Sequence, residues 1–475
     1  MHLDRGARRV LAVYAGSAVP RAAGATPRVA IVGAGLAGLA AAHVLARAGC
    51  RATVYEASAR IGGRVWTDHD ACGSGLVCEL GGEFIDSRHH DMLALAALFE
   101  LPRIDTGSAA EAQLSTSYFF DGRHHTEAQV AAAFAQVAPR IARDVARLGA
   151  RVSRRRHTPA AAALDRLSIA EYLDGLGLDG WLRSAIEVAY VTEYGLDAAE
   201  QSSINLLSLI GTDPRAGFQI FGGSDERYKV RDGADRIAHG LAAGLRGAIR
   251  MEHRLMRVRG DGAGYRLSFD TAGKARQISA DVVVFALPFT MLRRVDLGDS
   301  VPAAKQRAID QLGYGNNCKL LLGLRSRFWR DAGRDGGLYT DLDCQTGWDS
   351  SRLREGGRGV YAYYLGGRQG IDVGRGPAEE QAARMAALTE RVFPGFASQC
   401  DGCATRVHWP SEPFAQGSYT CYRPGQWTTI AGDESPRVGK LYFAGEHCAT
   451  DSQGYMDGAA QTGRRAAQAI LRSLV

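Results

Sequence analysis

Arg28 to Arg64 reads RVAIVGAGLAGLAAAHVLARAGCRATVYEASARIGGR, and this stretch decides the fold. Arg28–Val32 is a short β-branched run, Leu36–Ala48 repeats small apolar residues at helical spacing, and Arg51–Tyr55 forms a second strand. Gly33, Gly35 and Gly38 fall where the first strand turns into the helix. Gly33 permits the tight turn, Gly35 lets backbone approach a pyrophosphate, and Gly38 lets helix and strand pack closely. The helix start then offers free N–H groups and a positive dipole end to phosphate. Glu56 closes the second strand, where its carboxylate can accept from ribose hydroxyls. The unit predicts a dinucleotide site, and alone it does not separate FAD from NAD.

Outward from this unit, composition narrows the classes. A chain of 475 residues exceeds the usual reach of one core, so two domains are expected. Hydrophobic content of 46% and charge of 23% suit a globular enzyme, and no apolar run is long enough to span a membrane. A net charge of +6 is small for this length. Its densest basic run, Arg151 to His157, lacks interleaved aromatics and reads as a solvated helix face, so no nucleic-acid partner is expected. Nine cysteines without framework spacing predict reduced thiols, and the lone pair Cys400/Cys403 is too little for a metal site. Of 57 basic residues only Lys229, Lys274, Lys305, Lys319 and Lys440 are lysines. The first 26 residues read as a disordered leader; Arg8-Arg9 before a short apolar stretch leaves twin-arginine export as the alternative to a cytoplasmic location.

Asp91–Val145 and Ser168–Ile210 are rich in Ala and Leu at helical spacing, Val282–Phe285 and Leu441–Phe443 read as strands, and Met456–Leu474 as a long helix. These readings predict an α/β protein: a Rossmann-like, glutathione-reductase-like FAD-binding domain built from discontinuous segments 28–100, 225–290 and 405–475. An α+β substrate domain would take 101–224 and 291–404, with 1–27 as leader.

Ala59-Arg60-Ile61-Gly62-Gly63-Arg64, Glu79-Leu80-Gly81-Gly82, Gly445-Glu446-His447 and Gln453-Gly454-Tyr455-Met456-Asp457-Gly458-Ala459 together resemble the flavin-containing amine oxidase family, from about residue 28 to the end. The resemblance implies FAD, bound by Gly33, Gly35, Leu36, Ala37, Gly38, Glu56, Ala57, Gly63, Arg64, Gly81, Gly82, Glu83, Leu255, Gly445, Glu446, Gly454, Tyr455 and Met456. It places Lys319 as the lysine holding a water at flavin N5. Lysine scarcity adds support, because arginine cannot give up a proton in the useful range. Tyr419 and Tyr455 match two facing aromatics that align the substrate nitrogen, with Phe84 and Trp409 nearby.

Departures from the family refine the expectation. Ser418 stands where covalently linked members carry cysteine, which implies non-covalent FAD. Glu83-Phe84 replaces the Met-Arg that clamps a carboxylate in L-amino-acid oxidases. Asp86 falls where polyamine oxidases bind a substrate ammonium, although it also fits a turn cap. The resemblance thus implies an enzyme oxidising the C–N bond of a mono- or polyamine, with O2 as acceptor and H2O2 as product. An L-amino-acid oxidase is the alternative. A flavin desaturase, a non-catalytic FAD module and a nicotinamide dehydrogenase stand further off. The partners are a small amine or amino acid and O2; a homodimer is left open.

Overall fold

The computed structural model describes residues 3–19, 26–245 and 247–474. Its organising element is a five-stranded parallel sheet, in spatial order Leu441–Phe443, Val282–Phe285, Val29–Val32, Ala52–Tyr55 and Ile249–Arg250. Val29 lies level with both Val282 and Ala52. Every residue of Val29–Val32 and of Val282–Phe285 is buried, which is why both read as unbroken apolar runs rather than alternations. The fold is mixed α/β, its parallel sheet drawn from three widely separated parts of the chain.

Helix Leu36–Arg47 crosses from the first of these strands to the second, and the closing helix Met456–Arg472 packs along it. That approach needs small residues: a Cβ on Gly463 would collide with the Ala37 carbonyl, and one on Gly38 with the Gly33 carbonyl. Gly33 has φ +105°, and a Cβ there would lie 2.6 Å from the Ala286 oxygen.

A seven-stranded sheet forms the other layer, ordered Cys400–His408, Cys318–Leu324, Gly359–Leu365, Thr346–Asp349, Arg334–Thr340, Ser115–Phe120 and Arg123–His125. Helices Glu127–Leu148 and Gly180–Tyr194 pack beside it. The stretch 91–145, read as helical over much of its length, is helical in two parts. Helix occupies only His90–Leu98 and Glu127–Leu148, with strands Arg103–Asp105, Ser115–Phe120 and Arg123–His125 between them. The sequence STSYFF at 115–120 is β-branched and aromatic, and it finds a parallel partner in Arg334–Thr340 that only the tertiary fold supplies.

Two further expectations change. The basic run 151–157 is an irregular loop, not a helix face, and Arg154 Nη2 donates to Asp433 Oδ1 at 3.0 Å. The leader is not disordered where it is described: Arg5–Tyr14 is helical, started by Asp4 Oδ1 accepting from the Ala7 N–H at 2.7 Å. Ala7, Val13 and Tyr14 join the core around Leu36–Ala48. The fully buried Tyr14 hydroxyl donates to Asp91 Oδ1 at 2.8 Å, and Arg464 donates to the same carboxylate at 2.7 and 2.8 Å. Apolar residues on one helical face sufficed for docking even though mean hydropathy there is low. Residues 20–25 of that expected leader lie outside the described residues. No helix among the described residues is long and apolar enough to cross a membrane.

Gly38→Ala is expected to cost about 3 kcal/mol through overpacking of the strand–helix turn. Equilibrium denaturation checks it, with flavin retention falling in parallel.

Candidate active site

One cavity of about 600 Å³ runs from the edge of the parallel sheet to the face of the seven-stranded sheet. Its first end is shaped by backbone. Helix Leu36–Arg47 starts at Gly35 with no side chain capping its first N–H groups, whereas Thr126 and Ser168 cap their helices with reciprocal side-chain bonds. Gly35, Leu36 and Ala37, where the helix starts, all line the cavity, so these donors border it. The site is thus built for an anion. Glu56 lines the same end, its Oε2 accepting from Ala34 N–H at 2.7 Å and Oε1 from Ser58 N–H at 2.9 Å. Arg64 Nη1 donates to Glu446 Oε1 at 2.9 Å, and Glu446 Oε2 accepts from the Gly454 N–H at 3.0 Å. This ties the first signature to the last.

At the second end the chemistry is carried by side chains. Lys319 sits on Cys318–Leu324, a strand buried at every position, level with Tyr364 and Val407 on its neighbours. Its Nζ donates to Glu83 Oε2 at 2.8 Å and to the Gly81 carbonyl at 3.0 Å. Lys229 takes the other oxygen of Glu83, and its Nζ donates to the Ser350 carbonyl at 2.9 Å. Burial alone would raise the Glu83 carboxyl, but the two ammonium groups outweigh it and hold it down at about 2. Tyr455 donates to Glu193 Oε1 at 2.8 Å, while Tyr419 accepts from the Tyr364 hydroxyl at 3.0 Å and donates to the Thr192 carbonyl at 3.2 Å.

Every residue singled out from the sequence lines this cavity except Gly38 and Asp86. Gly38 supports the turn from behind. Asp86 is buried behind the wall, where Oδ1 accepts from the Glu226 N–H at 3.0 Å and Oδ2 lies 3.4 Å from His89. Among the carboxylates that do line the cavity are Glu193, at the end of helix Gly180–Tyr194, and Glu226. Burial raises Glu226 to about 8, with Glu193, Asp86 and Glu83 adding like charge. Burial likewise raises Glu193 to about 7, although the Tyr455 hydroxyl opposes it. Sequence reading missed Glu193, Glu226, Lys229, Tyr364 and Trp348. Lys229 was within reach, since lysine scarcity marks it as much as it marks Lys319.

The family described as flavin containing amine oxidoreductase matches residues 36–471. The chain belongs to this family. An L-amino acid dehydrogenase of Synechocystis sp. is 27% identical over 93% of this chain and 94% of its own. Among solved structures, cyclohexylamine oxidase from Brevibacterium oxydans superimposes with a TM-score of 0.82 at 22% identity, covering 95% of this chain and 100% of that one. A putrescine oxidase bound to putrescine gives 0.80 at 21% identity, covering 94% and 99%. As a flavin-containing amine oxidoreductase, the protein acts on amine donors and uses a flavin. The glycine cradle, the uncapped helix start and the backbone start of Met456–Arg472, also without a side-chain cap, fit that group's phosphates and ring.

Glu193 and Glu226 are raised toward their neutral forms, so the folded, flavin-free protein holds protons there that the unfolded chain has lost. The contribution of these two groups to the stability of the flavin-free protein is expected to fall as pH rises from about 5 to 8. Glu193→Gln with Glu226→Gln should flatten that slope in thermal scans. An unchanged slope would assign it to other buried carboxyls, such as Glu79 and Asp457.

Proposed function

We propose that the protein is an FAD-dependent amine oxidase acting on a mono- or polyamine, with O2 as acceptor and the parallel sheet serving as a Rossmann-like FAD-binding domain. The observation that carries this reading is the pair Glu193 and Glu226, carboxyls raised to about 7 and about 8, lining the cavity beside Tyr455. A half-buried carboxyl raised in this way is best satisfied by an ammonium, which restores its charged form. Arg352, the arginine on the substrate-sheet side, donates to Glu111 and also faces Asp335 at 3.5 Å, so it is not free for a substrate carboxylate.

When bound, FAD supplies the two-electron acceptor for the C–H bond next to the amine nitrogen, and O2 then takes the electrons to give H2O2. The chain's residues set the stage. The hydroxyls of Tyr419 and Tyr455 are tied to Tyr364, Thr192 and Glu193, which fixes both rings as walls for the reacting nitrogen. Their apolar faces favour the neutral amine at the reacting end, while Glu193 and Glu226 hold the charged end of a diamine. Lys319 spends two protons on Glu83 and Gly81, and we assign the third to a water at the ring edge. Atoms balance as amine, O2 and water giving aldehyde, ammonia and H2O2.

Ser418 donates to Asn317 Oδ1 at 2.6 Å, and no cysteine among the described residues lines the cavity. Both support non-covalent FAD. A second reading, oxidation of an L-amino acid, is favoured by the likeness to the Synechocystis dehydrogenase. It would require Arg352 to leave its carboxylate partners.

Acid denaturation is expected to release all yellow colour into the supernatant as FAD; colour retained in the protein pellet would show a covalent link. Peroxide release should be measured against putrescine, spermidine, phenylethylamine, L-arginine, L-lysine and L-leucine. The diamine and polyamine are expected to turn over best, and Glu226→Gln to lower their kcat/KM by about 10- to 100-fold, the worth of one charge-assisted hydrogen bond. Lys319→Met should keep FAD and slow either reduction or reoxidation. Turnover confined to the amino acids would overturn the amine reading.

A further inference from the structure

Three ionised side chains meet beside the ring end of the cavity and exceed what packing requires. Glu83 is 5% exposed, Lys229 and Lys319 2% each. Glu83 Oε2 lies 2.8 Å from Lys319, and Oε1 faces Lys229 and accepts from Trp348 Nε1 at 3.2 Å. One lysine would suffice to neutralise one buried carboxylate. Here a second is recruited from another strand, Tyr228–Val230, in a chain that otherwise uses arginine for almost every cation. Arginine would occupy more space and offer a fork; lysine gives a compact point charge.

We propose that Glu83 and Lys229 are positioning residues for Lys319: Glu83 pins the Lys319 ammonium from one side, and Lys229 cancels the charge of Glu83. The triad then presents one net positive charge to the flavin ring, which it would lose with Lys229 absent. The proposal rests on the flavin reading above, and it deepens it by making charge balance, not Lys319 alone, the quantity that tunes the cofactor. Oxidised flavin is neutral and reduced flavin carries negative charge, so net positive charge nearby favours reduction. In a buried site with little water, that influence is weakly screened.

The test is the midpoint potential of the bound flavin, measured by reductive dye titration with no amine present. Lys229→Met leaves Glu83 paired with Lys319 and no net charge, so the potential is expected to fall below that of the parent protein. Glu83→Gln leaves two ammonium groups, and the potential is expected to rise. The double variant E83Q/K229M keeps Lys319 as one uncancelled charge and should return close to the parent value. Opposite signs with restoration in the double variant cannot come from general loosening of the site. Should E83Q fail to fold, K229M against E83Q/K229M carries the same comparison. Shifts of the same sign, or no recovery in the double variant, would overturn the proposal. Wild-type flavin that no amine reduces would instead overturn the amine oxidase reading, and the potentials would still be measurable.

Discussion

Where helix Leu36–Arg47 begins, backbone comes closer to backbone than any Cβ would allow. Gly33 turns under the Ala286 carbonyl, Gly38 sits on the Gly33 carbonyl, and Gly463 of the closing helix sits on the Ala37 carbonyl. The rest of the structure depends on this steric constraint. It lets the strand Val282–Phe285 lie directly beside Val29–Val32, and it lets Met456–Arg472 run against the first helix. The closing helix can then aim its N-terminus into the same cavity that the first helix opens. Substituting bulk at any of these contacts would push the two helix starts apart.

The opposite end of the cavity is governed by charge rather than by space. A strand reading CKLLLGL is buried throughout, and its single lysine is tolerable only because Glu83 meets it. The cost of burying these ions is offset within the group, each carboxylate oxygen having an ammonium partner. Glu193 and Glu226 are treated otherwise. They have no cation of their own, and burial moves them toward their neutral forms. One cavity therefore holds a charge cluster paired within itself on one wall and, on another, two carboxyls with no ion-pair partner among the described residues.

Much of the cofactor end was legible in the sequence, because its physics is local. A strand, three glycines and a closing glutamate are consecutive, and each glycine has a single steric reason visible from spacing. The strands Val282–Phe285 and Leu441–Phe443 were equally plain as short apolar runs. The ring end was half legible. Lys319, Tyr419 and Tyr455 came through resemblance, and all three line the cavity. Glu193 and Glu226 left no local mark, since a glutamate near a helix end or in a polar loop is ordinary until tertiary packing encloses it. For Asp86 the sequence left two readings open, a substrate partner or a turn cap, and the loop turns it toward His89 and the Glu226 backbone, as the second has it. The strand Ser115–Phe120 was hidden for a third reason, its partner lying more than two hundred positions away.

The Tyr14 hydroxyl also donates to the Ala460 carbonyl, 446 positions along the chain. Taken with the pairing of Val29 to Val282, this contact dictates an order of events during synthesis. Strand Val29–Val32 and helix Leu36–Arg47 are made early, but Val282–Phe285 and Met456–Arg472, which cover part of them, follow much later. Until the closing helix is made, the face of Leu36–Ala48 that it covers has no partner, whereas Arg5–Tyr14 already has His90–Leu98 to pack on. That one face must stay open, or be sheltered, for almost the whole of synthesis. High sequence separation of this kind also slows refolding of the finished chain, because the longest loop must close before its contacts repay the lost entropy.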